Sequence, residues 1–394
     1  MGVQGLWSLL EEYNQIYQDI HFRDSKLLVD GTNLAHLLYN RANLDQNHGG
    51  EYLAFQAEVQ AFFKTLDNCQ IKSKVVIDGG SGPSDIKLNH RMDRQRTRVK
   101  KIPDALKGGE KGFYALFTTT VFEQTLNDMK VPLVRCFGEA DGQLAALARE
   151  WCCPVLSRDS DFYIYDLPEG FLPLDHFQFD SVKTSGARSY ISCKRYTTSS
   201  FCTLFNIDHQ LLTVFAALAG NYYDNLIDVK WASFVPAGSP EVRFGDDRLV
   251  GLLSWLGART DRRTEDTLTA AMALIDNISQ QARTEMWTWA QTEVQNAMLE
   301  YRLPSSSLRS FFSEGTVPPL PAEIWSWIPE WVRVSLARGD LGANILDYDI
   351  LVHRRKFLRT QLQCRVLQSS NLTSPPIRQV MYRLLLGQGG GGVR

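Results

Sequence analysis

The sequence predicts an α/β fold in which a parallel, twisted sheet flanked by helices is followed by a mainly helical C-terminal region. Three observations predict it. Over residues 1–235, short apolar runs alternate with helical patterns, the signature of βαβ units. Several of those runs end on an acid, as in Lys26–Asp30 (KLLVD) and Lys74–Asp78 (KVVID). Beyond Asp228 the texture changes: Val235–Glu241 (VPAGSPE) reads as a turn-rich linker, and few strand-like runs follow it.

The length of 394 residues fits two or three structural units, since domains run to about 100–200 residues. A hydrophobic fraction of 44% with 22% charged residues describes a globular chain, and no apolar run approaches the roughly 20 residues of a membrane span. Forty-two basic against forty-four acidic residues exclude a globally basic binder, so any nucleic-acid surface is regional. The seven cysteines are irregularly spaced with no paired C-x-x-C elements, which reads as reduced thiols in an intracellular compartment.

In chain order, the predicted strands are Lys26–Asp30, Lys74–Asp78, Val131–Cys136 (VPLVRC) and Pro154–Leu156 (PVL). Between the second and third, Lys87, Arg91, Arg94, Arg98 and Lys101 are spaced 4, 3, 4, 3, which places them on one face of a helix. Like charges in such a row repel, so an anionic counterpart fits this face; a solvated helix face and a nuclear-import signal are the plainer readings. Ile102–Gly112, with three glycines, reads as a mobile segment. Seven of the nine tryptophans lie from Trp231 onward, as a helical core or a partner-binding surface, and Gly387–Arg394 (GQGGGGVR) reads as a disordered tail.

The chemistry sits where predicted strands end. Asp30 and Asp78 close two of them, Glu139 and Asp141 follow the third at a helix start, and Asp159 and Asp161 follow the fourth. Ligands of open α/β sheets bind at the carboxyl ends of strands, so these acids converge on one crevice. Taken singly, an Asp after a strand is a helix cap or turn former. Six together repel one another and call for hard divalent cations, of which Mg²⁺ takes a few carboxylates while keeping waters for a phosphate.

Met1–Leu6 (MGVQGL), LLVDGTNLAHLLY, VVIDGG, GEADGQLAALA and RDSDFYIYDL together resemble the flap endonuclease/XPG nuclease superfamily, with its PIN-like core. The wording EAD, CPVLSRDSDF and AGNYYDN is most similar to the Asteroid branch. The resemblance covers about residues 1–235 and implies a nuclease core with a helical arch at about 82–113, a helical Asteroid-like region at 236–386 and a tail at 387–394. It implies a structure-selective DNA endonuclease working through two Mg²⁺ or Mn²⁺ ions. Asp30 and Asp78 resemble the family's first two aspartates, Glu139 and Asp141 its paired acids, and Asp159 and Asp161 its second-metal pair. Gly2 falls where relatives bring the chain start close to DNA. Lys87 and Arg94 match the arch lysine and arginine that reach the scissile phosphate, with Arg91, Arg98 and Lys101 tracking the strand backbone. The implied substrate is branched or single-stranded DNA and the implied location nuclear.

The chain departs from the family twice. Gly220-Asn221-Tyr222-Tyr223-Asp224 carries tyrosine where relatives have the last aspartate, which weakens the second metal site, and Leu226–Glu241 lacks the glycine pattern of the duplex-gripping helix-turn-helix. A catalytically weakened PIN-like scaffold that binds nucleic acid or a protein partner is therefore the alternative. A haloacid-dehalogenase-type phosphatase is a third reading of Asp159-Ser160-Asp161, but that motif normally opens its core and here comes fourth.

Overall fold

The computed structural model describes residues 3–44, 50–80, 88–105, 117–219, 229–236, 247–259, 263–274, 301–303, 305–316, 330–338 and 372–386, with a few isolated positions besides. The chain divides into two compact units, one of Met1–Leu34, Ala61–Ile77 and Ala140–Pro318, the other of Ala35–Gln60, Asp78–Glu139 and Pro319–Arg394. The strands are β1 (Tyr17–Phe22), β2 (Lys26–Asp30), β3 (Lys72–Ile77), β4 (Leu133–Arg135), β5 (Val155–Ser157), β6 (Phe171–Pro173), β7 (Lys183–Ser185) and β8 (Arg188–Tyr196). The helices that matter below are α1 (Leu6–Glu12), α2 (Gly31–Arg41), α3 (Tyr52–Asn68), α4 (Leu88–Ala105), α5 (Thr118–Asp128) and α6 (Asp141–Trp151). No single helix among the described residues is long and apolar enough to cross a membrane.

In the first unit the strand order is β1-β8-β6-β5-β2-β3. Strands β2, β3, β5 and β6 are parallel, as the interleaved pattern predicts. Leu27–Val29, Val75–Ile77 and Val155–Leu156 are buried, which is why these strands read as unbroken apolar runs rather than alternating ones. Helix α6 packs on β2 and β5 through Leu144–Ala148. The sheet differs from the sequence expectation at one side: β8 runs antiparallel to both β1 and β6 and forms a hairpin with β7. Tyr17–Phe22 (YQDIHF) is half polar because only its ends are buried, so it gives no clear apolar run to read. Gly31, directly after Asp30, is required by packing, since a Cβ there would lie 2.6 Å from the Val75 side chain and 3.2 Å from the Val76 carbonyl oxygen.

Later in the same unit, buried Trp231 packs on half-buried Trp255 with ring centroids 5.3 Å apart. Residues 305–314 run along α6: Ser307 Oγ donates to Gln143 Oε1 at 3.0 Å, the Ser306 amide donates to Glu150 Oε1 at 2.7 Å, and Phe312 packs on Trp151 at 5.8 Å.

In the second unit Tyr39 packs edge-on against Phe55, and its hydroxyl donates to the Gly50 carbonyl at 3.1 Å. Arg135, at the end of β4, is 3% exposed and forms an ion pair with Glu123 of α5, itself 2% exposed. Removing one partner of such a pair strands a buried charge, typically at about 3–5 kcal/mol. Helix α4 runs through Ile102, which is buried, so the stretch read from the sequence as mobile begins inside a helix.

Candidate metal centre

Asp30 ends β2 and is 1% exposed. Its carboxylate caps α2, with Oδ1 accepting from the Asn33 amide at 3.0 Å and Oδ2 from the Asn33 side chain. The same Oδ2 accepts from Ser157 Oγ at 2.6 Å, and Ser157 Oγ in turn accepts from the Asp159 amide at 3.0 Å. One serine at the end of β5 therefore ties the end of β2 to the turn that carries the next acids. Asp159 also caps that turn, its Oδ1 accepting from the Asp161 amide at 3.2 Å.

The turn is held from below by aromatic packing. Phe162 and Tyr163 are buried against Phe171 at 5.6 and 5.0 Å, the Tyr163 and Tyr17 hydroxyls are 2.8 Å apart, and the Tyr196 hydroxyl donates to the Tyr163 carbonyl at 2.7 Å. Burial pushes the Tyr163 and Tyr196 hydroxyls above the ordinary tyrosine pKa, so both stay protonated and able to donate. With Phe162 and Tyr163 committed to the core, Asp159 and Asp161 are presented together, 8% and 7% exposed.

Asp141 opens α6, and carboxylate oxygens of Asp141, Asp159 and Asp161 all lie within 4.8 Å of one another. Two unit charges at that distance repel by about 3 kcal/mol at an effective dielectric of about 20. Three hard oxygen donors so placed suit a divalent cation, which would turn that repulsion into attraction. The Tyr301 hydroxyl donates to Asp161 Oδ1 at 2.6 Å, and its ring packs edge-on to Tyr165 at 5.3 Å.

Among the residues singled out in the sequence, Asp141, Asp159 and Asp161 form this trio, and Asp30 stands beside it through Ser157. Asp78 and Glu139 lie in the other compact unit, both half-buried. Arg135 donates to the Asp78 carbonyl at 2.8 Å, and the Gly79 and Gly80 amides donate to Gly138 and Phe137 at 2.8 Å each. A Cβ at Gly79 would fall 2.0 Å from the Cys136 carbonyl oxygen, so only glycine allows this approach. Arg91, Arg94, Arg98 and Lys101 lie on α4, with Arg98 and Lys101 exposed. Gly2, Lys87, Tyr222, Asp224 and the 387–394 tail fall outside the described residues. Sequence reasoning did not find Ser157, Tyr301 or the Arg135–Glu123 pair. Ser157 had a signal, a hydroxyl between an apolar strand and the acid pair; Tyr301 had none.

Residues 96–227 match the family model described as XPG domain containing. The Danio rerio protein named single-strand DNA endonuclease ASTE1 is 35% identical across 98% of this chain and 54% of its own length. Protein asteroid of Drosophila melanogaster is 28% identical across 70% of this chain and 37% of its own. The resemblance to the Asteroid branch of the XPG superfamily holds. The chain spans about half the length of the curated relatives it matches. Among solved structures, the catalytic core of Rad2 in complex with DNA substrate is 14% identical with a TM-score of 0.42, covering 73% of this chain and 85% of that one. The Asteroid likeness extends through the C-terminal region, beyond the 235 residues in which motifs were legible.

Proposed function

We propose that this chain is a divalent-metal-dependent endonuclease that hydrolyses phosphodiester bonds in single-stranded or branched DNA. The observation that carries the reading is the convergence of Asp141, Asp159 and Asp161 within 4.8 Å, in a chain that resembles proteins named as single-strand DNA endonucleases. A bound Mg²⁺ or Mn²⁺ supplies Lewis acidity to phosphodiester hydrolysis. Asp141, Asp159 and Asp161 hold it, Tyr301 orients Asp161, and the Asn33 and Ser157 hydrogen bonds fix Asp30 beside them. The resemblance to the XPG superfamily implies Asp78 and Glu139 as further metal-holding acids. Lys87 and Arg94 stabilise charge on the scissile phosphate, while Gly2, Arg91, Arg98 and Lys101 contact the strand. Trp331, 68% exposed on the helix Glu330–Ala337, offers a protein partner an apolar anchor, and a nuclear location accords with a DNA substrate.

The test is cleavage of single-stranded and branched oligonucleotides with Mn²⁺ or with chelator, for the wild type and for Asp159→Asn. The reading expects cleavage only by the wild type with metal. DNA binding without cleavage under every condition would leave the weakened scaffold, which Tyr222 in place of a family aspartate favours.

A further inference from the structure

At the amino ends of β2 and β3, opposite the carboxylates, three lysines gather. Lys26 and Lys72 open the two strands and are direct cross-strand partners, and Lys74 lies two residues on, on the same face of β3. Like charges directly opposite one another destabilise a strand pair. None of the three has an ion-pair partner among the described residues.

The lysines line a cavity of about 350 Å³ whose remaining wall is mostly apolar, with Trp151 from the end of α6 and Phe312 from the helix Leu308–Glu314. Lys74 Nζ sits 5.1 Å from the Trp151 ring centroid and 4.8 Å from that of Phe312. Burial, with Lys26 close by, holds the Lys74 ammonium below the ordinary lysine pKa, so an anion entering the cavity would relieve an existing strain. Ammonium groups are point charges suited to phosphate, and aromatic side chains beside them give a nucleobase a face to stack on. The volume is at the small end of ligand sites, enough for one nucleotide and too little for a duplex.

We propose that this cavity binds a nucleoside phosphate, with its phosphate on Lys26, Lys72 and Lys74 and its base against Trp151 and Phe312. The site is separate from the carboxylates, about 13 Å away along β2 at roughly 3.3 Å per residue, and needs no metal. Its occupant is either a free mononucleotide or the terminal nucleotide of a DNA strand.

The test is calorimetric titration of the full chain, in excess chelator so that cleavage plays no part. The probes are deoxyadenosine monophosphate, inorganic phosphate, and a single-stranded oligonucleotide with or without a terminal phosphate. The nucleotide binds more tightly than phosphate, Lys72→Gln and Lys74→Gln each lose about tenfold as one charge-assisted hydrogen bond is removed, and Lys74→Arg keeps most of the affinity. Competition by the nucleotide against the phosphorylated oligonucleotide alone assigns the site to a strand end, and no competition assigns it to the free nucleotide. The proposal is overturned if the nucleotide does not bind, if phosphate binds equally well, or if the glutamine variants bind as the wild type does.

Discussion

At its carboxyl end β2 delivers Asp30 to a buried net of hydrogen bonds, whereas at its amino end the same strand delivers Lys26 to an open cavity walled by Trp151 and Phe312. Both ends crowd like charges, but they tolerate the crowding differently. The carboxylates of Asp30, Asp159 and Asp161 are held by backbone amides and hydroxyls, so the repulsion among the acids remains available to a cation. The lysines face an open cavity, with Lys74 Nζ over Trp151 and Phe312, where their crowding is available to an entering anion. The segment 301–314 gives each end an aromatic residue, Tyr301 to the acids and Phe312 to the lysines. A hydrogen-bonded cluster suits chemistry that needs position, and an open basic cavity suits binding that needs charge.

The largest effect is expected at the acids. Asp161→Asn should lower the single-turnover cleavage rate at least about a hundredfold, as loss of one fixed electrostatic group commonly does. It should also raise the melting temperature measured in chelator, because one charge leaves the repelling trio. A variant that loses activity and melts lower would mean that Asp161 is structural.

Tyr301→Phe comes next. It keeps the ring against Tyr165 but removes the hydroxyl from Asp161, and loss of such an orienting bond typically costs about 10- to 100-fold in metal affinity or activity. A Mn²⁺ titration of the rate checks it, and an unchanged midpoint would leave Tyr301 outside the centre. Phe312→Ala should do the reverse, leaving that midpoint alone while destabilising the fold in urea denaturation by the cation–π contact, worth about 0.5–1 kcal/mol, together with the lost packing on Trp151.

The smallest effect concerns pH. Glu11 gains the His176 and Tyr17 hydrogen bonds against a burial penalty and is held below the ordinary 4.5, so its stabilisation is present above that value and lost as pH falls through the folded pKa. Lys74 is held below 10.5 by burial, so the folded state sheds its proton first and stability rises as pH climbs from the folded pKa towards 10.5. Denaturation of wild type and Lys74→Met across alkaline pH isolates this second slope, which should vanish in the variant.

The parallel centre of the sheet was legible because strands buried on both faces are apolar throughout, and the acids at their ends were legible because a carboxylate after such a run is conspicuous. Asp30 and Asp159 show why each acid alone was ambiguous: both are indeed caps, of α2 and of the turn at Ser160, while also lying in or beside the trio. The antiparallel side was not legible, since β1 is solvated along its middle and its pairing with β8 spans some 170 positions of sequence. Tyr301 and Phe312 were illegible for the same reason, because their partners are set by tertiary packing along α6.

The most direct test of the central claim is Mn²⁺ binding, measured by calorimetry beside cleavage of a single-stranded oligonucleotide, for the wild type and for Asp141→Asn/Asp159→Asn/Asp161→Asn. The wild type should bind the ion and cut, and the folded triple variant should do neither. Divalent-dependent cleavage by the triple variant would contradict the account, because the ion would then be held elsewhere.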